Sequence, residues 1–120
     1  MDINNLIEGE LILIDKPYRW TSFDVVNHLR NIIRRKLGIK KIKIGHAGTL
    51  DPLATGLLIV CTGKFTKKIE ELQFLEKQYT GSFTIGKTTP SYDLEKEIDN
   101  EYDYSHVTDE MIYNAANSFI

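Results

Sequence analysis

Asp51 is the residue of this sequence best mounted for chemistry. Pro52 follows it, has no amide hydrogen and disfavours the α conformation at the residue before it, so the carboxylate is held in an extended or turn geometry. An ionised aspartate can act as a nucleophile or a base without a metal. The same dipeptide also forms Asx turns, in which the carboxylate only accepts hydrogen bonds from nearby amides. Spacing alone leaves both roles open.

His46, five residues before Asp51, is the second candidate. An imidazole can act as a base, as a metal ligand or as a ring that stacks on an unpaired base of RNA. The other histidines, His28 and His106, lie in a basic segment and an acidic one, so no ligand set forms and we predict no metal site. The single cysteine, Cys61, is interpreted as a buried small hydrophobe.

Charge is divided unevenly along the chain. Residues 1–68 contain 12 Lys and Arg against 6 Asp and Glu, whereas residues 69–120 contain 3 against 11. Because neutralisation of phosphates supplies much of the affinity for nucleic acids, the basic part indicates a polyanionic partner. Two solvated faces of opposite sign remain the alternative.

The segments that precede the candidate residues predict a strand and an amphipathic helix. The aliphatic run 9–15, stopped by Lys16 and Pro17, is typical of a strand. Thr21 and Asp24 match a capping box, and Gly38 supplies the end of the helix that follows. Its apolar positions recur at spacings of three and four: Val25, Val26, Leu29, Ile32, Ile33 and Leu37.

The remaining segments predict short elements around a structured loop. Residues 41–44 alternate as a half-buried strand does, and the glycine-rich and proline-containing stretch 45–56 indicates a loop. A strand is expected at 57–61, followed by a helix that Thr66 caps and that points Ile69, Leu72 and Leu75 inward. A further strand is expected with Tyr79, Gly81, Phe83 and Ile85 on one face. After it we expect an exposed stretch at 91–104 and a helix starting at 108–110.

The composition, with 42% apolar and 27% charged residues, predicts one globular domain at most. The longest apolar run, Leu57–Cys61, is far short of the ~20 residues that a membrane span needs, so we expect a cytoplasmic protein. The apolar residues Phe119 and Ile120 end the sequence inside a predicted helix, which we interpret as the sign of a fragment.

Three groups of residues, in this order along the chain, resemble the TruB family of tRNA pseudouridine synthases. They are Lys16-Pro17 with Thr21-Ser22, the octet Gly45-His46-Ala47-Gly48-Thr49-Leu50-Asp51-Pro52, and Lys77-Gln78-Tyr79. The resemblance covers roughly residues 9–95, and the octet is its most specific part. It implies an α+β fold with a mixed, mainly antiparallel sheet flanked by helices, with residues 1–120 forming the amino-terminal portion of a single catalytic domain.

The resemblance also implies an activity, the isomerisation of uridine to pseudouridine in the T loop of tRNA, at position 55, without a cofactor. Asp51 matches the carboxylate that attacks the nucleotide, and His46 matches the residue that packs into the RNA where the flipped base has left. Tyr79 matches a ring that stacks on that base. Lys16 and Pro17 match an element that supports the catalytic loop, and Lys16 is also expected among the residues that bind the RNA. Three further residues of the octet are expected to contact RNA: Gly48, Thr49 and Leu50.

Two departures from the family pattern qualify this expectation. The family usually has glycine where this chain has Arg19, and its later motifs, which supply an arginine partner for the catalytic aspartate, are not found up to residue 120. We therefore expect the 120-residue chain alone to be inactive. The sequence does not reveal the oligomeric state, for which a monomer is favoured. The competing hypotheses are a noncatalytic RNA-binding module and a nucleoside or glycoside hydrolase that uses Asp51.

Overall fold

The computed structural model describes the backbone of residues 3–120 and the side chains of residues 5–120. The chain divides into two compact units, residues 1–78 and 79–120, and each is described by itself. Within the described residues, no helix is long and apolar enough to cross a bilayer. That residues 1–120 belong to one catalytic domain stays a prediction.

A three-stranded antiparallel sheet forms the centre of the first unit. Its strands are β1 (Leu11–Lys16), β2 (Ile44–Ala47) and β3 (Gly56–Thr62), in the order β1-β3-β2. His46 is paired with Val60, which is paired with Ile12 on the other side. Since paired residues point to the same face, these three side chains share one face of the sheet.

Three helices and one 3₁₀ helix accompany this sheet: α1 (Ile3–Glu8), α2 (Ser22–Leu37), the 3₁₀ helix Gly63–Lys68 and α3 (Ile69–Gln73). The capping box predicted for α2 is confirmed: Asp24 N donates to Thr21 Oγ1 at 3.0 Å, and Thr21 N donates to Asp24 Oδ2 at 2.9 Å. Hydrogen bonds from Thr21 lower the pKa of Asp24. Gly38 ends α2 at a φ of 64°, a left-handed conformation that glycine adopts without a Cβ clash.

The core lies between α2 and one face of the sheet. Val25, Val26 and Ile33 of α2 pack against Leu58 and Val60 of β3. The opposite face is covered only in part: the Ile69 side chain of α3 lies over Gly45, whereas Leu13 and Leu57 are 61% and 63% exposed. Cys61 is buried as predicted, and burial raises the pKa of its thiol.

Several predictions in the first unit are wrong. Leu75 was expected to point inward from a helix, but it lies beyond the end of α3 and is 53% exposed. The strand expected at 41–44 begins only at Ile44 and extends to Ala47, because it is defined by its pairing with β3, with Gly45 opposite Cys61. Thr66 does not cap a helix. It lies inside the 3₁₀ helix, and its hydroxyl donates to the carbonyl of Gly63 at 2.8 Å.

The second unit contains two very short strands, β4 (Lys87–Thr88) and β5 (Asn100–Glu101), and the helix α4 (Asp109–Asn117). The helix is confirmed, with Thr108 accepting from Met111 N at 3.3 Å. The mainly irregular stretch 91–104 is confirmed apart from β5. The strand predicted around Tyr79 and Phe83 is wrong, since residues 79–84 have no regular structure and no strand pairs with them in the described chain.

Helices and antiparallel strands together confirm the α+β prediction.

Candidate active site

The candidate site is the loop of residues 48–55, which joins β2 to β3. β1 ends at Lys16, opposite Gly56, the first residue of β3. The segment that leaves β1, residues 17–21, therefore lies at the same end of the sheet as the loop. This placement allows hydrogen bonds between the two segments.

Lys16 makes the first of these bonds. Its side chain is fully buried, and Nζ donates to the carbonyl oxygens of Pro17 at 3.1 Å, Trp20 at 2.5 Å and Pro52 at 3.3 Å. A buried ammonium group is strongly destabilising unless its donors are satisfied, and here three donors meet three acceptors. The ammonium group thereby ties the segment after β1 to the residue that follows Asp51.

Arg19 makes a second bond to the same carbonyl. Its amide donates to Pro52 O at 2.8 Å, and its backbone is left-handed, with a φ of 66°. A side chain in this conformation costs roughly 1–2 kcal/mol relative to the right-handed one, a cost that glycine avoids. The departure from the family's glycine thus keeps a glycine-like backbone, although the residue type has changed.

Ser22 fixes the middle of the loop. Its buried hydroxyl accepts from Leu50 N at 2.9 Å and donates to Leu50 O at 3.3 Å, so both backbone groups of one loop residue are satisfied. The Leu50 side chain packs against the core. Ser22 was not among the predicted site residues; its place in the Thr21-Ser22 pair was the only signal in the sequence.

Asp51 opens a turn and points into solvent. Ala54 N donates to Asp51 O at 3.0 Å, which closes a four-residue turn with Pro52 in its second position. The carboxylate side chain is exposed. Among the ion pairs and hydrogen bonds of residues 5–120, none engages this carboxylate, so the Asx-turn role has no bond to support it.

His46 lies on β2, partly buried, and its ring is oriented by the loop. Nδ1 is 2.5 Å from the carbonyl oxygen of Gly48. Because a carbonyl can only accept, the ring donates to it from Nδ1. Gly48 itself has a φ of 92°, a conformation that side chains rarely adopt, and Thr49 next to it is exposed.

Tyr79 is the first residue of the second unit. Its side chain is 69% exposed and lies in a segment without regular structure. The site described above consists of residues of the first unit, namely Lys16, His46, Gly48, Thr49, Leu50 and Asp51.

Chemically, the arrangement presents a carboxylate to solvent on a backbone that several bonds fix in place. The bonds from Lys16, Arg19 and Ser22 reduce the conformational entropy that a reacting group would otherwise lose at the moment of reaction. A positioned carboxylate of this kind can act as a nucleophile or as a base.

Comparison with known proteins gives one matching family and many similar relatives. The family described as TruB family pseudouridylate synthase (N terminal domain) matches residues 34–120. A protein named tRNA pseudouridine synthase B from Phocaeicola vulgatus is 59% identical over 116 residues, which cover 97% of this chain and 49% of that protein.

Two further proteins of the same name are similar over nearly the whole chain. The relative from Flavobacterium johnsoniae is 57% identical over 115 residues, covering 95% of this chain and 50% of the relative. The relative from Chloroherpeton thalassium is 50% identical over 113 residues, covering 94% and 46%. The chain therefore spans about half the length of the curated relatives it matches, and it belongs to the TruB family of pseudouridylate synthases.

Proposed function

We propose that the protein carrying this chain isomerises uridine to pseudouridine in the T loop of tRNA, at position 55, without a cofactor. Asp51 is its catalytic carboxylate. The observation that carries this proposal is the exposed, unengaged carboxylate on a loop whose backbone is held by Lys16, Arg19 and Ser22. The names of the relatives, which specify a tRNA pseudouridine synthase, support the substrate and the reaction.

The reaction exchanges one bond for another within a single nucleotide. The carboxylate of Asp51 attacks the nucleotide, at the base or at the sugar, and the bond between C1′ and N1 breaks. The uracil rotates and C5 bonds to C1′, after which C5 loses its proton, N1 gains one, and the carboxylate is released. Atoms and electrons balance without an oxidant, a reductant or a metal.

Recognition of the target requires that the uridine leave the base stack. His46, oriented through Nδ1 by the Gly48 carbonyl, is proposed to pack into the space that the flipped base leaves. Tyr79 is proposed to stack on the flipped base. Gly48, Thr49 and Leu50 would approach the RNA through the same loop, with the Leu50 side chain anchored in the core.

The test is hydrogen release from uridine labelled at C5 in a tRNA T-loop substrate. We expect the complete protein to release the label and Asp51→Asn to lose at least about 10³-fold in rate, as removal of a nucleophile typically does. The amide keeps the shape of the side chain, so tRNA binding should persist.

Asp15→Asn is the matched control. Asp15 is an exposed aspartate near the end of β1 at which the loop lies, and the substitution changes the charge by the same amount. It should release label at the normal rate. Full turnover by Asp51→Asn would disprove the catalytic assignment.

We also propose that the 120-residue chain alone is inactive. An arginine beside the carboxylate would orient it through a charge-assisted pair, and no such pair involves Asp51 in the part of the chain that the structure describes. Label release by the isolated chain at the rate of the complete protein would contradict this.

A noncatalytic RNA-binding role is the second candidate, favoured by the excess of cations in residues 1–68. It predicts binding of tRNA with no label release by the complete protein. The hydrolase alternative predicts free uracil as a product, whereas isomerisation releases none.

A further inference from the structure

The sequence leading to the catalytic loop contains a long segment with basic residues and no acidic ones. Residues 25–50 include seven Lys and Arg and no Asp or Glu: the cations are Arg30, Arg34, Arg35, Lys36, Lys40, Lys41 and Lys43. A run of this length without a single acid has no internal compensation of its charge. The positive potential it creates is therefore concentrated on the surfaces that these residues form.

The fold brings the two halves of this stretch together. Gly38, in its left-handed conformation, ends α2, and Ile39 N donates to Arg34 O at 3.2 Å as the chain reverses. Arg30 of α2 then reaches the start of β2, where Nη2 lies 3.4 Å from the carbonyl oxygen of Ile44. Ile42 packs against the core, so the residues on either side of it are held beside α2.

The result is a shallow groove with cations on both walls. It is lined by Arg30, Arg34, Lys40, Lys41, Ile42 and Lys43, and we call these six residues the basic groove. One wall belongs to a helix and the other to an irregular segment that is anchored through Ile42. The lysines of the second wall are exposed.

The cations of the basic groove are not neutralised by the protein. The ion pairs found among residues 5–120 join Lys64 to Glu8, Lys68 to Glu71 and Lys87 to Glu101, and none of these residues lines the groove. The guanidinium group of Arg30 donates hydrogen bonds only to neutral oxygens, the side-chain oxygen of Asn27 and the backbone carbonyl of Ile44. The groove therefore presents unpaired positive charge to solvent, which suits a ligand that carries regularly repeated negative charge.

We propose that the basic groove binds backbone phosphates in the base-paired stem of the RNA whose loop reacts at Asp51. This inference rests on the proposed function for the identity of the RNA. The groove lies at the start of β2 and the catalytic loop at its end, and four residues of strand span about 13 Å. That separation is a few base-pair steps, too far for the groove to contact the flipped base. Contacts to phosphates there would set the position of the stem without reading its sequence.

The test measures binding of a tRNA T-arm stem-loop to the complete protein over a range of salt concentrations. For the variant that combines Lys40→Gln, Lys41→Gln and Lys43→Gln, the slope of log K against log [salt] should become shallower by about 2–3, because each phosphate contact contributes about 0.9. Lys64→Gln, Lys67→Gln and Lys68→Gln combined form the matched control. They remove the same charge from the 3₁₀ helix and should change the slope by less than about 1.

A second RNA separates the stem from the loop. On the single-stranded loop sequence alone, the wild type and the groove variant should give equal slopes. A difference that persists on this RNA would overturn the assignment to the stem, and equal effects of the groove and control variants would overturn the groove itself.

Both readouts are binding measurements, so they are independent of whether label is released from C5. Arg34→Gln serves as a second variant on the other wall. It should reduce the slope by about 1, and circular dichroism will establish that each variant is folded.

Discussion

The two compact units of this chain differ in how many of their residues are buried and in how long their strands are. In the first, Leu58, Val60 and Cys61 are almost completely buried and a sheet of three strands has a helix across one face. In the second, Thr89 is the only buried residue and the strands are two residues long. Two-stranded ribbons of this size are marginal in water. We infer that the first unit is stabilised by its own core, whereas the second has too few buried side chains to form one.

The largest expected contrast comes from truncating one apolar side chain in each unit. Leu58→Ala should lower the free energy of unfolding by about 2–5 kcal/mol, because it leaves a cavity in the core, whereas Phe83→Ala should change it by less than about 0.5 kcal/mol. Phe83 is 97% exposed and loses no packing. Denaturation checks this when it is followed by Trp20 fluorescence for the first unit and by far-ultraviolet circular dichroism for the second, since the single tryptophan lies in the first unit. Similar losses from both variants would remove the distinction between the units.

A smaller contrast compares two helix caps of the same type. Thr21 and Thr108 each accept from a backbone amide in the first turn, at 3.0 and 3.3 Å. Thr21→Ala should destabilise the first unit by about 1 kcal/mol. Thr108→Ala should reduce the helicity of α4 only, because α4 has no buried residue. Far-ultraviolet circular dichroism together with Trp20 fluorescence separates the two effects.

The Thr21 cap also predicts a pH dependence. Hydrogen bonds from Thr21 lower the pKa of Asp24 in the folded chain below its ordinary value of 3.8. The contribution of Asp24 to stability is therefore complete above that value and is lost as the pH falls through the lower, folded pKa. Thr21→Ala removes the hydroxyl donor to Asp24 but keeps the backbone amide donor, so this part of the acid sensitivity should become smaller; if it stays unchanged, the hydroxyl of the cap is not its cause.

The smallest contrast concerns the two non-glycine residues with a left-handed backbone, Arg19 with a φ of 66° and Tyr92 with a φ of 61°. Replacing Arg19 by glycine should raise the free energy of unfolding of the first unit by up to ~1 kcal/mol, because the steric cost of the side chain is removed. Tyr92→Gly relieves the same cost in the second unit and should leave the Trp20 transition in place. Destabilisation by Arg19→Gly would show that its side chain contributes more than its backbone costs.

Features that depend on neighbouring residues were predictable from the sequence. The Thr21 and Asp24 cap, the end of α2 at Gly38 and the start of α4 are each defined within a few residues. The strand at 41–44 was misplaced because its lysine and isoleucine alternation is local, whereas the observed strand is defined by pairing with Cys61 and Val60. The alternation from Tyr79 to Ile85 likewise indicates a face but supplies no partner strand.

In the candidate site, too, local features were predictable from the sequence and contacts between distant residues were not. The resemblance of the octet to a family is the basis for proposing Asp51 and His46 as site residues, whereas their types and spacing alone left a structural role for Asp51 open. The resemblance indicated that Lys16 supports the loop, but its hydrogen-bond acceptors could not be predicted, because they are backbone carbonyls of Pro17, Trp20 and Pro52, which every residue type provides. Ser22 acts through its distance to Leu50, 28 residues later in the chain, and no local pattern encodes that distance.

The buried ammonium group of Lys16 has a consequence for covalent labelling. With its three donors occupied and no exposed surface, its amine should resist acylating reagents that modify the exposed lysines of the basic groove. Lys16 can react only when Pro52 and the segment after β1 separate. The rate at which its amine is labelled would therefore measure how often the loop that carries Asp51 opens, a quantity that no measurement of turnover isolates.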